Sequence, residues 1–202
     1  MNRRTLGCLF ELLETFLITL VIFVLIQLFV AQPFQMQKLT MGNALTPGQF
    51  VLVDKLTPHF DDLHRGDIVI FTPPSGSPED PSGTPYAERV IGVGGDTIDI
   101  HGGHVYLNGA LLTEAYVLKN QTTAMADGGI KTWKLKADQL FVMGDNRMDP
   151  MTKDSRNYGP IDKSSVVGRA WLRYWPVGQF GLLPQGKQLP APSGSPVSST
   201  AP

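Results

Sequence analysis

Histidines with nearby aspartates and a glycine-rich stretch are the residues whose types could bind a metal ion or a phosphate. The candidate metal ligands lie in segments flanked by Pro, Gly and Asp: His59, Asp61, Asp62, His64, His101 and His104. A zinc site would normally add cysteine or two histidines spaced four apart on a helix, and neither accompanies these residues. The stretch Gly92–Gly95 opens no helical pattern, so it lacks the N-terminal amides that hold a phosphate. We therefore expect no metal site and no cofactor.

Four separated segments form a more specific pattern. They are Pro33-Phe34 after a long apolar run; LTMGNAL at 39–45, followed by Gly48 and by VLVDK at 51–55; ERVIG at 88–92, followed by Gly95-Asp96; and MGDNR at 143–147, followed by DSR at 154–156 and Gly159-Pro160. In order and spacing, these segments resemble the signature boxes of the bacterial type I signal peptidases. The resemblance covers about Leu6 to Trp175 and implies a β domain on a membrane anchor that removes signal peptides from secreted preproteins.

The resemblance also implies roles for individual residues. Such enzymes use a serine hydroxyl as nucleophile and a neutral, desolvated lysine as general base, while a backbone N–H and a nearby hydroxyl stabilise the oxyanion. Thr40 stands at the nucleophile position and Glu88 at the general-base position. The other matched positions are Lys38, Met41 and Thr152 in the oxyanion and substrate region, and Asp145, Asn146, Arg147, Asp154, Ser155 and Arg156 as structural residues near the site, with Asp154 and Arg156 as an ion pair.

Several of the implied catalytic positions are substituted at once, which predicts impaired or absent peptidase activity. Thr40 keeps a hydroxyl, but its β-branch restricts χ1. A carboxylate at Glu88 is a poor base for an alkyl hydroxyl because its pKa lies far below the working pH. If burial raises that pKa, the carboxyl group is neutral and cannot accept a proton. Thr152 replaces the serine that orients the family's lysine, and Lys38 replaces the hydroxyl two residues before the nucleophile.

Lys38 leaves three interpretations open. It could act as a replacement base for the missing lysine. It could instead pair with Glu88, which would swap the charge across the site and keep the lysine protonated. It could also simply extend its ammonium group towards lipid headgroups.

The first element that must position these residues is an apolar N-terminal segment. From Thr15 to Ala31, Gln27 is the only strongly polar side chain. With the apolar residues back to Leu6, the segment can cross a hydrocarbon core of about 30 Å as a helix. The rival interpretation is a cleaved signal peptide, but the run is too long for an h-region and the following AQPFQMQKL lacks a convincing small-x-small cleavage site. The sequence therefore favours an uncleaved anchor.

Charges beside this segment predict its orientation. Arg3 and Arg4 precede it, and no basic residue follows until Lys38. The positive-inside rule then places the N-terminus in the cytoplasm and the chain after Pro33 outside. The predicted location is the cytoplasmic membrane, crossed once, with the lipid bilayer as a partner.

Short apolar, β-branched runs bounded by turn residues predict an antiparallel, mostly β domain. The runs are Phe50–Val53, Asp67–Phe71, Val90–Ile100 with a turn at Gly94-Gly95, His104–Leu111 with Asn108-Gly109 at its tip, Leu140–Met143 and Ala170–Trp175. Five prolines in 72–85 predict an exposed loop. The Pro- and Ser-rich residues from Pro184 predict a disordered tail. The expected organisation is an anchor over 1–33, an extracytoplasmic signal-peptidase-like β domain over 34–183 and a tail over 184–202.

The amino-acid composition further narrows the class of protein. The 202 residues carry a formal net charge of −1, with a pI near 6.4. The basic stripe of a nucleic-acid-binding protein is missing, so we expect no nucleic-acid partner. The 21 glycines and 16 prolines favour a turn-rich β domain over a helical bundle. Cys8 is the single cysteine, so no internal disulfide can form.

Two hypotheses of different classes follow. The first is a signal-peptidase-type endopeptidase by descent, with preproteins or their signal peptides as partners and with impaired or absent activity. The second is a non-catalytic, membrane-anchored protein that binds peptides or acts as a scaffold. The pair Thr40 and Glu88 favours binding alone, while the intact surrounding boxes favour retained peptide recognition.

Overall fold

The chain begins with a helix that is long and apolar enough to cross a membrane. The computed structural model describes residues 3–42, 44–74, 84–117, 121–123, 130–148 and 154–184. Helix α1 spans Arg3–Leu25 and continues as a π-helical stretch, Ile26–Val30. The candidate membrane span is Gly7–Val30, with a mean hydropathy of 2.5 and no burial against the rest of the protein. Most of the predicted loop, the tail after Pro184 and Thr152 lie outside the described residues.

Within those residues, twelve strands form two antiparallel sheets. They are β1 Ala31–Gln35, β2 Phe50–Asp54, β3 Ile68–Phe71, β4 Tyr86–Gly92, β5 Thr97–His101, β6 His104–Leu107, β7 Ala110–Leu111, β8 Lys131–Lys134, β9 Gln139–Met143, β10 Ile161–Asp162, β11 Val166–Trp175 and β12 Gly181–Leu182. The larger sheet has the order β1-β2-β11-β3-β4-β9-β10, with β12 beside β11, and the smaller has the order β7-β6-β5-β8. The predicted mostly β fold on one N-terminal helix is confirmed.

Short helical turns connect the strands. They are α2 Thr57–Phe60 and α3 Ser155–Tyr158, together with the 3-10 turns Leu39–Met41, Lys163–Ser165 and Val177–Gln179. The first 3-10 turn and α3 contribute residues to the candidate site described below.

A tight two-residue turn joins two strands of the smaller sheet. Two residues, Asn108 and Gly109, connect β6 to β7 with φ angles of 53° and 81°. Positive φ at both positions is what a type I′ turn requires, and asparagine and glycine tolerate it best. The predicted hairpin tip is therefore confirmed. Along β5, Ile98 and Ile100 are fully buried while the other three residues are partly exposed, as alternation on a half-covered strand predicts.

Three apolar clusters form the core of the described chain. One lies under β1, β2 and β3 and includes Met36, Met41 and Val51. A second fills the space between the smaller sheet and β9. A third packs β3, β4, β9 and β10 on the opposite face. Strand β4 contributes to all three clusters and is buried at every position, so it is the central element of the domain.

A substitution at Gly168 can test the close contact between β11 and β2. A Cβ at this position would lie 2.5 Å from the carbonyl oxygen of Asp54, a backbone atom that can move only if the strands separate. We expect Gly168→Ala to lower the free energy of unfolding by about 1–3 kcal/mol. The measurement is thermal unfolding of the full chain in detergent micelles, followed by circular dichroism.

The control for this prediction is Gly178→Ala, since an added Cβ there meets no atom within 4 Å. It should leave the melting temperature unchanged. Equal melting temperatures for both variants would contradict the close approach of the two strands.

Candidate active site

Thr40 lies in the 3-10 turn that follows β1. The backbone N–H of Asn146 donates to the carbonyl oxygen of Thr40 at 2.9 Å, and its side-chain amide donates to that of Leu39 at 3.3 Å. Thr40 is 4% exposed. Its hydroxyl donates a hydrogen bond to the carbonyl oxygen of Ala87 on β4 at 3.3 Å. The fold thus brings the nucleophile position beside the strand that carries Glu88.

Glu88 lies in the middle of β4, opposite Val69 of β3. It is 0% exposed. Neither of its carboxyl oxygens has a hydrogen-bond partner among the described residues. An ionised carboxylate in such a place would be very costly, so the group is favoured in its neutral form.

The surroundings of Glu88 raise its pKa on balance. Burial raises the pKa of Glu88 well above its ordinary value, and the negative charges of Asp154 and Asp145 raise it further. Two nearby groups lower this pKa, namely the Thr40 hydroxyl and the Arg156 guanidinium, but they do not offset the effect of burial. The hydrogen bond of the Thr40 hydroxyl itself goes to a backbone carbonyl. The carboxyl group therefore keeps its proton at pH values where an ordinary glutamate is ionised. A protonated carboxyl group cannot take the proton of the Thr40 hydroxyl.

Lys38 does not pair with Glu88, and that hypothesis is wrong. The Lys38 Nζ lies 3.7 Å from the centroid of the Tyr86 ring, where a cation–π contact forms. Neither Glu88 carboxyl oxygen has a hydrogen-bond partner in the part of the chain that the structure describes, so the charge swap proposed for Lys38 and Glu88 does not form there. The remaining interpretations of Lys38, as a base or as a group facing headgroups, stay predictions.

A narrow groove runs past Thr40 between two stretches of chain. The chain leaving β1 forms one wall and the start of β4, with the two residues before it, forms the other. The groove is lined by Phe34, Met36, Gln37, Lys38 and Thr40 on the first wall, and by Thr84, Pro85, Tyr86 and Ala87 on the second. Met41 is not among them, since it is fully buried in the apolar cluster beneath.

Arg89 joins β4 to the loop after β9. Its guanidinium forms a two-pronged ion pair with Asp145, with N···O distances of 2.7 and 2.6 Å. It also donates to the carbonyl oxygen of Gly66 at 2.8 Å and lies 4.3 Å from the centroid of the Tyr116 ring. Both partners are almost completely buried, which makes this pair a structural link and not a surface contact.

Asp154 and Arg156 form the ion pair that the resemblance implies, at 2.8 Å. Asp154 also accepts a hydrogen bond from the backbone N–H of Gly144 at 3.3 Å. The hydroxyl of the neighbouring Ser155 accepts one from the N–H of Val142 at 3.0 Å. These contacts hold α3 against β9 and place the Asp154 charge near Glu88.

Arg147 has partners that sequence reasoning did not find. It is 2% exposed and pairs with both oxygens of Glu114. It also donates to the Thr123 hydroxyl and to the carbonyl oxygen of Gly144, at 2.8 and 2.9 Å. The signature box marks the arginine, but no sequence signal indicates Glu114, which lies in an irregular segment. Thr152, by contrast, cannot be placed because it lies outside the described residues.

Comparisons with known proteins support the family suggested by the motifs. The family described as signal peptidase, peptidase S26, matches residues 9–175. Signal peptidase I of Leptolyngbya laminosa is 33% identical over 177 residues, covering 87% of this chain and 84% of that protein. Signal peptidase I of Bacillus licheniformis is 33% identical over 178 residues, covering 85% of this chain and 91% of that protein. A crystal structure of a signal peptidase I from Enterococcus faecalis V583 covers 54% of this chain and 97% of that one, with a TM-score of 0.41 and 29% identity.

The raised pKa of Glu88 predicts how stability depends on pH. Above the ordinary pKa near 4.5, the unfolded chain releases a proton that the folded chain retains. The free energy of unfolding therefore falls as pH rises from there through the raised pKa. Glu88→Gln removes this titration, so the variant should gain stability over the parent by up to about 1.4 kcal/mol per pH unit in that window. Melting temperatures measured from about pH 4 to about pH 8 test this.

The matched control is Asp138→Asn, which neutralises an exposed carboxylate. Its difference from the parent should not change across the same window. A Glu88→Gln profile parallel to that of the parent would mean that Glu88 is ionised in the folded chain.

The buried Arg89–Asp145 pair predicts a large effect of removing one partner. Asp145→Asn leaves the guanidinium buried without a counter-charge and should cost about 3–5 kcal/mol of stability. The comparison is Asp62→Asn, which removes the exposed partner of Lys163 in a 3.3 Å surface pair. Exposed pairs of this kind contribute little, so its melting temperature should match the parent. Equal losses in both variants would argue against a special role for the buried pair.

Proposed function

Because the chain belongs to the signal peptidase family, peptidase S26, we propose that it is a membrane-anchored protein that binds the cleavage region of secreted preproteins and cleaves it poorly or not at all. The observation that carries this proposal is the fully buried Glu88 at the position of the general base, with neither carboxyl oxygen hydrogen-bonded to any described residue.

The missing step is proton removal from the nucleophile. A hydroxyl attacks a peptide carbonyl efficiently only when a neighbouring base accepts its proton. Thr40 has a protonated carboxyl group and a backbone carbonyl as neighbours, and its hydroxyl donates to the latter at 3.3 Å. A backbone carbonyl cannot serve as a base. The loss of a general base alone slows such reactions by about 10²–10⁴-fold.

The groove supports retained peptide binding. Strand β4 pairs with β9 from Arg89 onward, whereas Tyr86 and Ala87 pair only with β3 among the described strands. Beside this stretch of β4, where β9 does not pair with it, an extended peptide can add through backbone hydrogen bonds. The narrow space beside Tyr86 suits residues with small side chains, which are the residues expected before the cleavage point of a secreted preprotein.

The N-terminal helix supports placement of the groove at a membrane. Gly7–Val30 is long enough to cross a bilayer, and Arg3 and Arg4 precede it. With the N-terminus in the cytoplasm, the β domain lies outside, on the side where preproteins emerge. Single-pass topology and this orientation are part of the proposal.

A second candidate function is an active peptidase with Lys38 as its base. It is favoured by one observation, namely that Lys38 and Thr40 line the same groove. A lysine that is partly desolvated by bound peptide could lose its proton and accept that of Thr40. The alternative without any chemistry is a peptide-binding or scaffold protein.

The decisive experiment compares four full-length proteins in detergent or nanodiscs with one synthetic preprotein. They are the parent, Thr40→Ser/Glu88→Lys, Lys38→Ala, and Thr40→Ala in the parent background. We expect the double variant to cleave at least about 100-fold faster than the parent, because it supplies an amine base and a hydroxyl without the β-branch of threonine. Cleavage is followed by gel electrophoresis and by mass spectrometry of the new N-terminus.

The other variants separate the alternatives. Parent activity that disappears in both Thr40→Ala and Lys38→Ala would identify Lys38 as the base and overturn the proposed impairment. Peptide binding by the parent, measured by fluorescence anisotropy, should persist without cleavage and weaken when large side chains replace the small residues before the cleavage point. Absence of both binding and cleavage would refute the peptide function itself.

A further inference from the structure

A second cavity lies where the N-terminal helix passes into β1. Its volume is about 670 Å³, and it shares no lining residue with the groove beside Thr40. Val30 and Ala31 form one wall, while Trp171, Leu182 and Leu183 form the other. This volume lies within the range of about 300–1,000 Å³ that is typical of sites for small molecules. The walls are largely apolar, so the cavity suits a hydrocarbon chain.

The cavity is fixed at the end of the candidate membrane span. Val30 is the last residue of that span, and the next residue already belongs to β1. The backbone N–H of Lys55 donates to the carbonyl oxygen of Val30 at 3.0 Å, and its ammonium donates to that of Leu28 at 2.7 Å. The last turn of the helix is therefore bonded to the end of β2, which holds the cavity mouth near the boundary between hydrocarbon and headgroups.

Arg169 and Asp54 are the charged residues in this largely apolar lining. One terminal nitrogen of Arg169 donates to the Thr57 hydroxyl at 3.1 Å and lies 3.6 Å from a carboxylate oxygen of Asp54, and the other lies 3.9 Å from a carboxylate oxygen of Asp67. The Asp54 carboxylate is shared with the N–H groups of Leu56 and Thr57. The Arg169 Nε is buried and has no hydrogen-bond partner among the described residues. An acceptor with several oxygens, such as a phosphate, would satisfy it.

The rim of the cavity extends the apolar surface outwards. Leu182 is 74% exposed, and the neighbouring Phe180 is 64% exposed. Trp171 in the wall has the amphipathic character of residues that favour the membrane interface. Exposed apolar side chains beside a membrane span are covered most readily by lipid.

We propose that this cavity binds one acyl chain of a bilayer phospholipid, whose phosphate contacts Arg169. The occupant is identified by the continuity of the cavity with the membrane span, by its largely apolar lining and by the Arg169 Nε, which has no hydrogen-bond partner among the described residues. The segment 185–202 is a poorer occupant, because Leu189 and Val197 are its only large apolar residues. The proposal is independent of peptide cleavage at Thr40.

The test uses Trp171 as the probe of the cavity. The full chain is placed in nanodiscs of phosphatidylglycerol with ordinary or 9,10-dibrominated acyl chains, and the Trp171 signal is obtained by difference from Trp171→Phe. We expect bromine to quench Trp171 severalfold. Ala31→Phe fills the cavity and should abolish most of this quenching, whereas Gln32→Phe adds the same bulk on the opposite face of β1 and should not.

The phosphate contact has its own test in detergent. Phosphatidylglycerol titrated onto delipidated protein should form a one-to-one complex in native mass spectrometry. Arg169→Met should weaken it by about tenfold, the loss of one charge-assisted contact. Arg173→Met, on the same strand but outside the cavity, should not weaken it. Melting temperatures establish that both variants are folded.

Three results would overturn the proposal. One is quenching of Trp171 that Ala31→Phe leaves unchanged, which means that the residue only faces the bulk bilayer. Another is quenching that appears only after removal of 185–202, which means that the tail fills the cavity. The third is a dimer that Ala31→Phe dissociates, which means that a second copy covers this face.

Discussion

Buried arginine–carboxylate pairs hold together the segments that surround the candidate site. Arg89 on β4 pairs with Asp145 after β9, Asp154 pairs with Arg156 at the start of α3, and Arg147 pairs with Glu114. Each partner has lost most of its hydration, so removing either one strands a charge in the interior. Residues 144–148 after β9 are therefore firmly held, and through Asn146 they also position Thr40.

Among the residues that the structure describes, Glu88 differs from the other buried acidic groups because no cationic side chain pairs with it. Asp145 and Asp154 are each paired with a guanidinium group. Glu88 lacks such a partner and lies close to both, which makes its own ionisation unfavourable. A neutral carboxyl group is a hydrogen-bond donor and cannot accept the proton of a neighbouring hydroxyl.

The fold could be predicted largely from the sequence, while the site could be predicted only in part. Apolar β-branched runs and Asn108-Gly109 mark most strands and one hairpin, because these signals are local. Strand β1 was not predicted, since Pro33 within it argues against a strand; its position at the sheet edge removes the conflict. The motifs identify Thr40 and Glu88, yet the unpaired burial of Glu88 and the Lys38–Tyr86 contact depend on side-chain packing between distant segments.

The direct passage from helix to strand has a kinetic consequence. No loop separates Val30 from β1, and Thr40 is the ninth residue after Ala31, a separation of at most roughly 30 Å of extended chain. The anchor therefore keeps the groove within a thin layer parallel to the bilayer, so the groove does not move through a volume of solution. For a partner that is itself inserted in the membrane, encounter becomes a search in two dimensions, and even a weak groove would be occupied at a density set by the membrane and not by the bulk concentration.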